Sequence, residues 1–255
     1  MREFTANAWL VTRRNWAVYR KLFFTNVSPT LSDPLFAIFA FGVALGAYIK
    51  DIDGRSYLEF IGPGLAINTA LFTAFFEMSY HVYIKMTHEK LYKSLMTTPL
   101  SVNEIIAGEF LWVSLKSAAM ALIVSSILAV FGLVKPQFLW VMPLVGALVG
   151  LSLGSIGLLA TAWVKTIDQF QVVFAVVINP MFFFSGTFYP TNNLHPYLKF
   201  ASGLSPLYHG VRLAQHLLWA SDVASAVLFH GGLLCLMSAA LVWAASRAFY
   251  PRLYS

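Results

Sequence analysis

From Leu139 to Val164 the chain reads LWVMPLVGALVGLSLGSIGLLATAWV, without one charged residue. A helix needs about 20 predominantly apolar residues to cross the hydrocarbon of a bilayer, and this stretch is long enough. Hydrocarbon offers no partner to backbone N–H and C=O groups, so a lipid-exposed segment must satisfy them internally, as a helix does. Five further stretches share this character: about Leu31 to Ile49, Leu58 to Ile84, Ile105 to Leu133, Phe170 to Tyr189 and Val223 to Ala245. The expected fold is an all-α polytopic membrane protein with six transmembrane helices. Pro29 is expected to stop any helix ahead of the first span, Gly62-Pro63-Gly64 to open the second with a break, and Pro180 to interrupt the fifth.

Composition narrows the functions open to such a chain. Hydrophobic residues make up 58% and charged residues 11%, against about 25% charged in soluble domains. The single cysteine, Cys235, lies inside an apolar run, which excludes an intramolecular disulfide and a cysteine-based metal site. The excess of 17 Lys and Arg over 11 Asp and Glu reports membrane topology and anionic headgroups, with no nucleic-acid partner expected. The basic N-terminus is not followed by a compact apolar core and a small-residue cleavage site, so the first span is expected to act as the signal.

An even number of spans puts both termini on one side of the membrane. That side would carry Arg2, Arg13, Arg14, Arg20, Lys21, Lys85, Lys90, Lys93, Lys165, Arg247 and Arg252, and the other only Lys50, Arg55, Lys135, Lys199 and Arg212. Basic loops stay in the cytoplasm, so both termini and the loop after the second span are expected there.

That loop, IKMTHEKLYKSLMTTPLSVNEIIAGEF from Ile84 to Phe110, is the largest polar interruption inside the hydrophobic region. Leu91, Leu95 and Met96 recur at helical spacing among His88, Glu89, Lys90 and Lys93, and Pro99 ends the run. A short amphipathic helix results, either a docking element or a solvated connector. The N-terminal stretch is amphipathic too. On a helical wheel Arg2, Arg13, Arg14, Arg20 and Lys21 share one arc, while Phe4, Val11, Trp16, Val18, Tyr19, Leu22 and Phe23 share the other, with Thr5, Thr12 and Asn15 intruding on it. The pattern suits a helix lying in the membrane interface.

Gly146, Gly150 and Gly154 form a small-residue seam for close helix packing, within one chain or between chains, and Gly42 and Gly46 form a second. The segment from Ser185 to Asp222 is too polar and proline-rich to span, and is expected to be re-entrant or irregular at the outer face, closed by a helix at about Leu207 to Trp219. Its Tyr189, Tyr197, Phe200, Tyr208 and Trp219 suit an aromatic belt or stacking on sugar rings. Glu77 in the second span and Lys116 in the third each lie a few turns inside the cytoplasmic end of helices expected to be antiparallel neighbours. An intramembrane ion pair between them is expected.

No GxxxxGK[ST] occurs, so nucleotide phosphates are not bound here by a P-loop. Neither His81 and His88 nor His209 and His216 have the spacing of a helical metal site, and no catalytic grouping of Ser, His and Asp can be argued.

Several ordered motifs carry a resemblance. RRNWAVYRK, SDPLFAIFAFGVALGAYI, HEKLYKSLMTTPLSVNEIIAGEF, NPMFFFSGTFYPTNNLHP and SPLYHGVRL are similar, over essentially the full length, to the type-2 permease family of ABC transporters. Within it the chain most resembles the branch containing the permease of nodulation-factor (lipo-chitooligosaccharide) exporters. The resemblance implies a non-enzymatic transport subunit of the bacterial inner membrane, with no cofactor of its own. It would dimerise and pair with two copies of a separate ATPase subunit that holds ATP and Mg. The membrane domain would divide into a connecting helix (1–29, with Arg13, Arg14, Trp16, Arg20 and Lys21), spans one and two (31–84) and a coupling-helix loop (85–104). Spans three to five (105–189), outer re-entrant helices (190–222) and the last span with its tail (223–255) would follow. His88, Glu89, Lys90, Leu91, Lys93 and Leu95 would touch the ATPase. Phe188, Tyr189, Tyr197, Phe200, Tyr208 and Arg212 would form the outer gate for a glycolipid, lipo-oligosaccharide or polysaccharide. Tyr92 stands where the family often has an acidic residue. An exporter or channel for drug-like molecules or ions, and a membrane-embedded acyl or glycosyl transferase, remain the alternatives.

Overall fold

The computed structural model describes residues 2–49, 51–52, 54–134, 139–191, 194–219 and 222–254, without the side chains of Arg2, Asn26, Pro29, Thr30 and Val43. Lys50 and Lys135 of the charge tally fall outside the described residues. The chain is mostly helical: α1 (Arg2–Lys21), α2 (Phe23–Ala37), α3 (Tyr57–Phe76), α4 (Val82–Thr87), α5 (Leu91–Leu95), α6 (Val102–Val130), α7 (Met142–Trp163), α8 (Gln169–Val173), α9 (Asn179–Phe183), α10 (Pro196–Gly203), α11 (Pro206–Trp219), α12 (Val223–Ala226) and α13 (Gly232–Phe249). Wider π-helical segments continue or join them at Ile38–Ala44, Glu77–His81, Phe174–Ile178 and Val227–Gly231. One departure from an all-α fold is a small antiparallel hairpin, β1 (Asp51–Ile52) with β2 (Arg55–Ser56).

Among the described residues four helices are long and apolar enough to cross a membrane: Tyr57–Thr87, Val102–Val130, Met142–Trp163 and Val223–Leu253. The two other candidate spans form the shorter apolar helices Leu31–Ala47 and Gln169–Phe183. At 1.5 Å per residue these apolar parts measure about 25 and 22 Å against a hydrocarbon core of about 30 Å, the first continuing the helix that starts at Phe23.

All three expected helix breaks are corrected. The helix before the first span starts at Phe23 and runs through Pro29, since membrane helices carry proline where neighbouring groups re-satisfy the freed carbonyl. Pro63 lies inside an unbroken α3, whose start is fixed by a capping box between Ser56 and Glu59. Gly62 and Gly64 serve packing instead: a Cβ on Gly64 would lie 2.5 Å from Thr187 Oγ1. Ahead of Pro180, the wide turn Phe174–Ile178 absorbs the missing N–H and the helix continues to Phe183.

The core is a three-helix layer of α3, α6 and α7, with α13 on α7, α1 along α6, and α11 against α3 and α7. The glycine seam packs within the chain. A Cβ on Gly146 would lie 2.6 Å from Ala121 Cβ, one on Gly150 2.5 Å from Ser117 Cβ, and one on Gly154 3.1 Å from Met78 Cγ. Gly150→Leu is therefore expected to cost about 1–3 kcal/mol by overpacking, read as a lower unfolding midpoint of the purified protein. An unchanged midpoint would show that the seam can open at no cost.

α11 is buried along most of its length. It forms a wall of the core, whereas α10 is largely exposed.

Candidate functional site

The second span places Glu77, His81 and Lys85 four residues apart on one helical face, and α6 answers with Glu109, Trp112 and Lys116. The π-helical segment at Glu77–His81 widens the turn where this face begins. Lys116 Nζ lies 2.6 Å from Glu77 Oε2, Trp112 Nε1 donates to Oε1 at 2.8 Å, and His81 Nδ1 lies 3.0 Å from Oε2. Lys85 Nζ is 3.7 Å from the same carboxylate and donates to both oxygens of Glu109, at 2.9 and 3.2 Å. Glu109 also accepts from Asn15 Nδ2 at 3.0 Å and from the Tyr92 hydroxyl at 3.0 Å. Glu77, Glu109, Lys116 and Tyr92 are all buried. Charges survive such burial only when paired and hydrogen-bonded, and here two carboxylates meet two ammonium groups, with Lys85 bridging both.

The network joins four elements. Asn15 comes from α1, Tyr92 from α5, and the charges from the second and third spans. α1 rises beside α6 in the same direction, tied by Asn7 to Glu104 (2.8 Å), Thr12 Oγ1 to the Gly108 carbonyl (3.1 Å) and Asn15 to Glu109. The backbones meet closely enough that a Cβ on Gly108 would lie 2.6 Å from Val11 Cβ. The protein-facing side of α1 is thus Ala8, Val11, Thr12, Asn15 and Tyr19, while Phe4, Trp9, Trp16, Val18 and Phe23 stay exposed. The helix ends at Lys21, short of the 29 residues of the expected connecting helix, because Leu22 leaves helical geometry (ψ 26°) before α2. Arg13, Arg20 and Lys21 are exposed, and Arg14 reaches Glu89 at 3.8 Å.

The loop helix is shorter than its apolar spacing predicts. α5 spans Leu91–Leu95 only, because Lys90 adopts a left-handed conformation (φ 51°) at its start. Tyr92 turns inward, and burial, then Glu109, hold its phenol well above its usual pKa. Leu95 packs partly on the chain's own core, so it does not project as a free docking side chain. Leu91 is half-buried, His88 sits against the Tyr83 ring, and Glu89, Lys90 and Lys93 are exposed.

The expected gate residues do not gather. Phe188 packs between Phe41 and Phe182 and accepts from Tyr57 on its carbonyl, and Tyr189 donates to the Phe183 carbonyl. Tyr197 and Phe200 project from α10 into the surroundings. Tyr208 and Arg212 lie on α11, Tyr208 against His209 and His230, whose Nδ1 atoms are 2.9 Å apart. Sequence spacing could not pair those two histidines, since His230 sits in the last span.

A cavity of about 220 Å³ lies above the network, between α2, α3 and Phe182, with Glu77, His81 and Lys116 at one end. It is lined by Phe72 and Phe76 and by the polar Asn68 and Thr73, whose Oδ1 and Oγ1 are buried without a hydrogen-bond partner among the described residues.

Comparison with known proteins supports one assignment. The ABC-2 type transporter family model matches residues 6–219. Nodulation protein J of Bradyrhizobium diazoefficiens is 29% identical over 97% of this chain and 95% of its own length, and that of Rhizobium meliloti 27% identical over 90% and 89%. The inner membrane transport permease YadH of Escherichia coli is 26% identical over 79% of this chain and 80% of its own. The chain is a member of the ABC-2 type transporter family, the membrane permease subunits of ABC transporters.

Proposed function

We propose that this chain is the permease subunit of an ATP-driven exporter that moves an amphipathic, sugar-bearing lipid outward across the bacterial inner membrane. Two copies would assemble with two ATPase subunits, which bind ATP and Mg, and both termini and the 85–104 loop would face the cytoplasm. The observation that carries the reading is the anchoring of that loop: Tyr92 hangs α5 on Glu109, the carboxylate that also holds α1 and the second span. A push on the loop from a partner would reach two spans and the N-terminal helix through one buried group. Lys90 and Lys93 stay exposed on the outside of this joint as partner contacts. At about 220 Å³ the cavity holds only a fragment of such a cargo, and Phe72, Phe76 and Phe182 are placed to pack on its aliphatic groups.

Reversing both loop charges, Lys90→Glu with Lys93→Glu, is expected to reduce cargo-stimulated ATP hydrolysis by the reconstituted complex severalfold, because rim charges set association with a partner. The permease itself should elute and unfold as wild type. Full stimulation with both charges reversed would remove the loop from the contact, and failure of any ATPase subunit to co-purify or stimulate transport would overturn the exporter reading.

A further inference from the structure

Two histidines far apart in the chain meet where α11 packs on the last span. His209 of α11 is 2% exposed, its Nε2 lies 2.8 Å from the Gly203 carbonyl oxygen, and its Nδ1 lies 2.9 Å from Nδ1 of His230. A carbonyl oxygen only accepts, so the hydrogen between His209 and Gly203 sits on Nε2. The Nδ1 of a neutral His209 is therefore bare, and so close a contact requires His230 to donate to it from its own Nδ1. Both tautomers are fixed by their partners. Gly203 is the last residue of α10, so the two bonds tie α10 through α11 to the last span. His230 itself lies in the wide turn Val227–Gly231, a departure from α-helical geometry of the kind frequent at functional positions.

The pair accepts one proton but not two. A proton on the free Nε2 of His230 leaves both hydrogen bonds in place. A proton on Nδ1 of His209 sets N–H against N–H, and the bond between the helices is lost. The surroundings hold no counter-ion for it. Arg212 and His216 share α11, the His216 ring stacks on His230 at a centroid distance of 6.1 Å, and Tyr208 meets both imidazoles edge-on. Among the described residues no carboxylate pairs with His209, His230 or Arg212. α7 and α9, which also pack on α11, carry no titratable side chain. Tyr57 and Glu59 of α3 bond to Phe188 and Ser56, Tyr197 and Lys199 of α10 are exposed, and Cys235 and Arg247 lie farther along the last span. Burial holds the His209 imidazole below its ordinary value, against a smaller opposite pull from the Gly203 carbonyl.

We infer that the bond between His209 and His230 is a proton-sensitive latch, which holds α10 and α11 on the last span at neutral pH and lets them part on acidification. An exposed imidazole titrates near 6.5. His209 stays neutral while the latch is closed and takes a proton once it opens, so the open state binds more protons and acid drives opening. The latch's contribution is full above about 6.5 and is lost as pH falls below it. The inference rests on the two rings and their partners alone, and stands apart from the nature of any cargo.

Hydrogen–deuterium exchange of the full-length permease in nanodiscs tests it, read as protection factors of the His209–Gln215 amides. Protection in the wild-type chain should fall about tenfold between pH 7.5 and 5.5, the lower value lying one unit below the ordinary imidazole pKa. α6, which carries no histidine, should keep its protection. His230→Asn, whose amide donates to a neutral His209 and turns to accept from a protonated one, should keep the protection seen at neutral pH and remove most of the fall. His230→Leu can do neither and should lose about fivefold at neutral pH, the worth of one hydrogen bond. His216→Gln should leave the fall in place. Equal protection at both pH values in the wild-type chain, a fall of the same size in α6, a full fall in His230→Asn, no loss in His230→Leu, or a fall abolished by His216→Gln would each overturn the latch, the last by making His216 the titrating group.

Discussion

Glu109→Ala is expected to lower the unfolding free energy of the purified permease by about 3–5 kcal/mol, the cost of removing one partner from a buried charge pair. Glu109 is 3% exposed and accepts from Lys85, Asn15 and Tyr92 at 2.9–3.2 Å. Its loss leaves the Lys85 ammonium, whose side chain is 12% exposed, with only the 3.7 Å contact to Glu77, and takes the acceptor from a buried amide and a buried phenol. Adding Lys85→Met should recover a large part, since the under-compensated charge is the most costly of the three. Tyr92→Phe strands no charge and should cost about 1 kcal/mol, the worth of one hydrogen bond. The phenol's raised pKa means that folding favours its neutral form. That contribution is complete below the ordinary phenol pKa of about 10 and is lost as pH rises beyond it. Equilibrium unfolding in mixed micelles reads each value, and a Glu109→Ala change under about 1 kcal/mol would mean that water reaches the site.

The positions of the helices were legible because hydrophobic runs are set by the solvent. Each of the six apolar stretches coincides with a helix, and two capping boxes written in the chain, SYLE at 56–59 and SVNE at 101–104, fix where α3 and α6 begin. Helix continuity was not legible. Proline signals a break in water, but packing inside a membrane protein overrides it, so Pro29, Pro63 and Pro180 all lie within helices. The face of α1 was misjudged for a related reason. A wheel sorts residues by affinity for lipid, whereas α1 docks on protein through Thr12 and Asn15, the very residues that interrupt its apolar arc. Loop composition likewise could not tell that Tyr92 turns inward while its charged neighbours turn out.

The pairing of Glu77 with Lys116 could be expected from two lone charges at matching depth, yet the pair is one edge of a larger network, and this changes what exchanging the charges will do. The combination Glu77→Lys with Lys116→Glu keeps the pair on paper, but position 77 also faces His81 at 3.0 Å, Lys85 at 3.7 Å and the Trp112 indole N–H at 2.8 Å. A lysine there would meet a second ammonium and two groups that have lost their acceptor. The exchanged protein is therefore expected to be no more stable than Lys116→Met alone, which leaves Glu77 short of one cation and costs about 3–5 kcal/mol. Glu77→Gln combined with Lys116→Met keeps a carbonyl oxygen for Trp112 and removes both charges, and buried pairs replaced by neutral groups of similar volume are often nearly neutral in stability. It should lie within about 1–2 kcal/mol of wild type. Full rescue by charge exchange would show that Glu77 and Lys116 form an isolated pair, and that Lys85 serves Glu109 alone. The stability order of the four proteins thus separates a simple ion pair from a junction at which the charges of one span are shared among several partners.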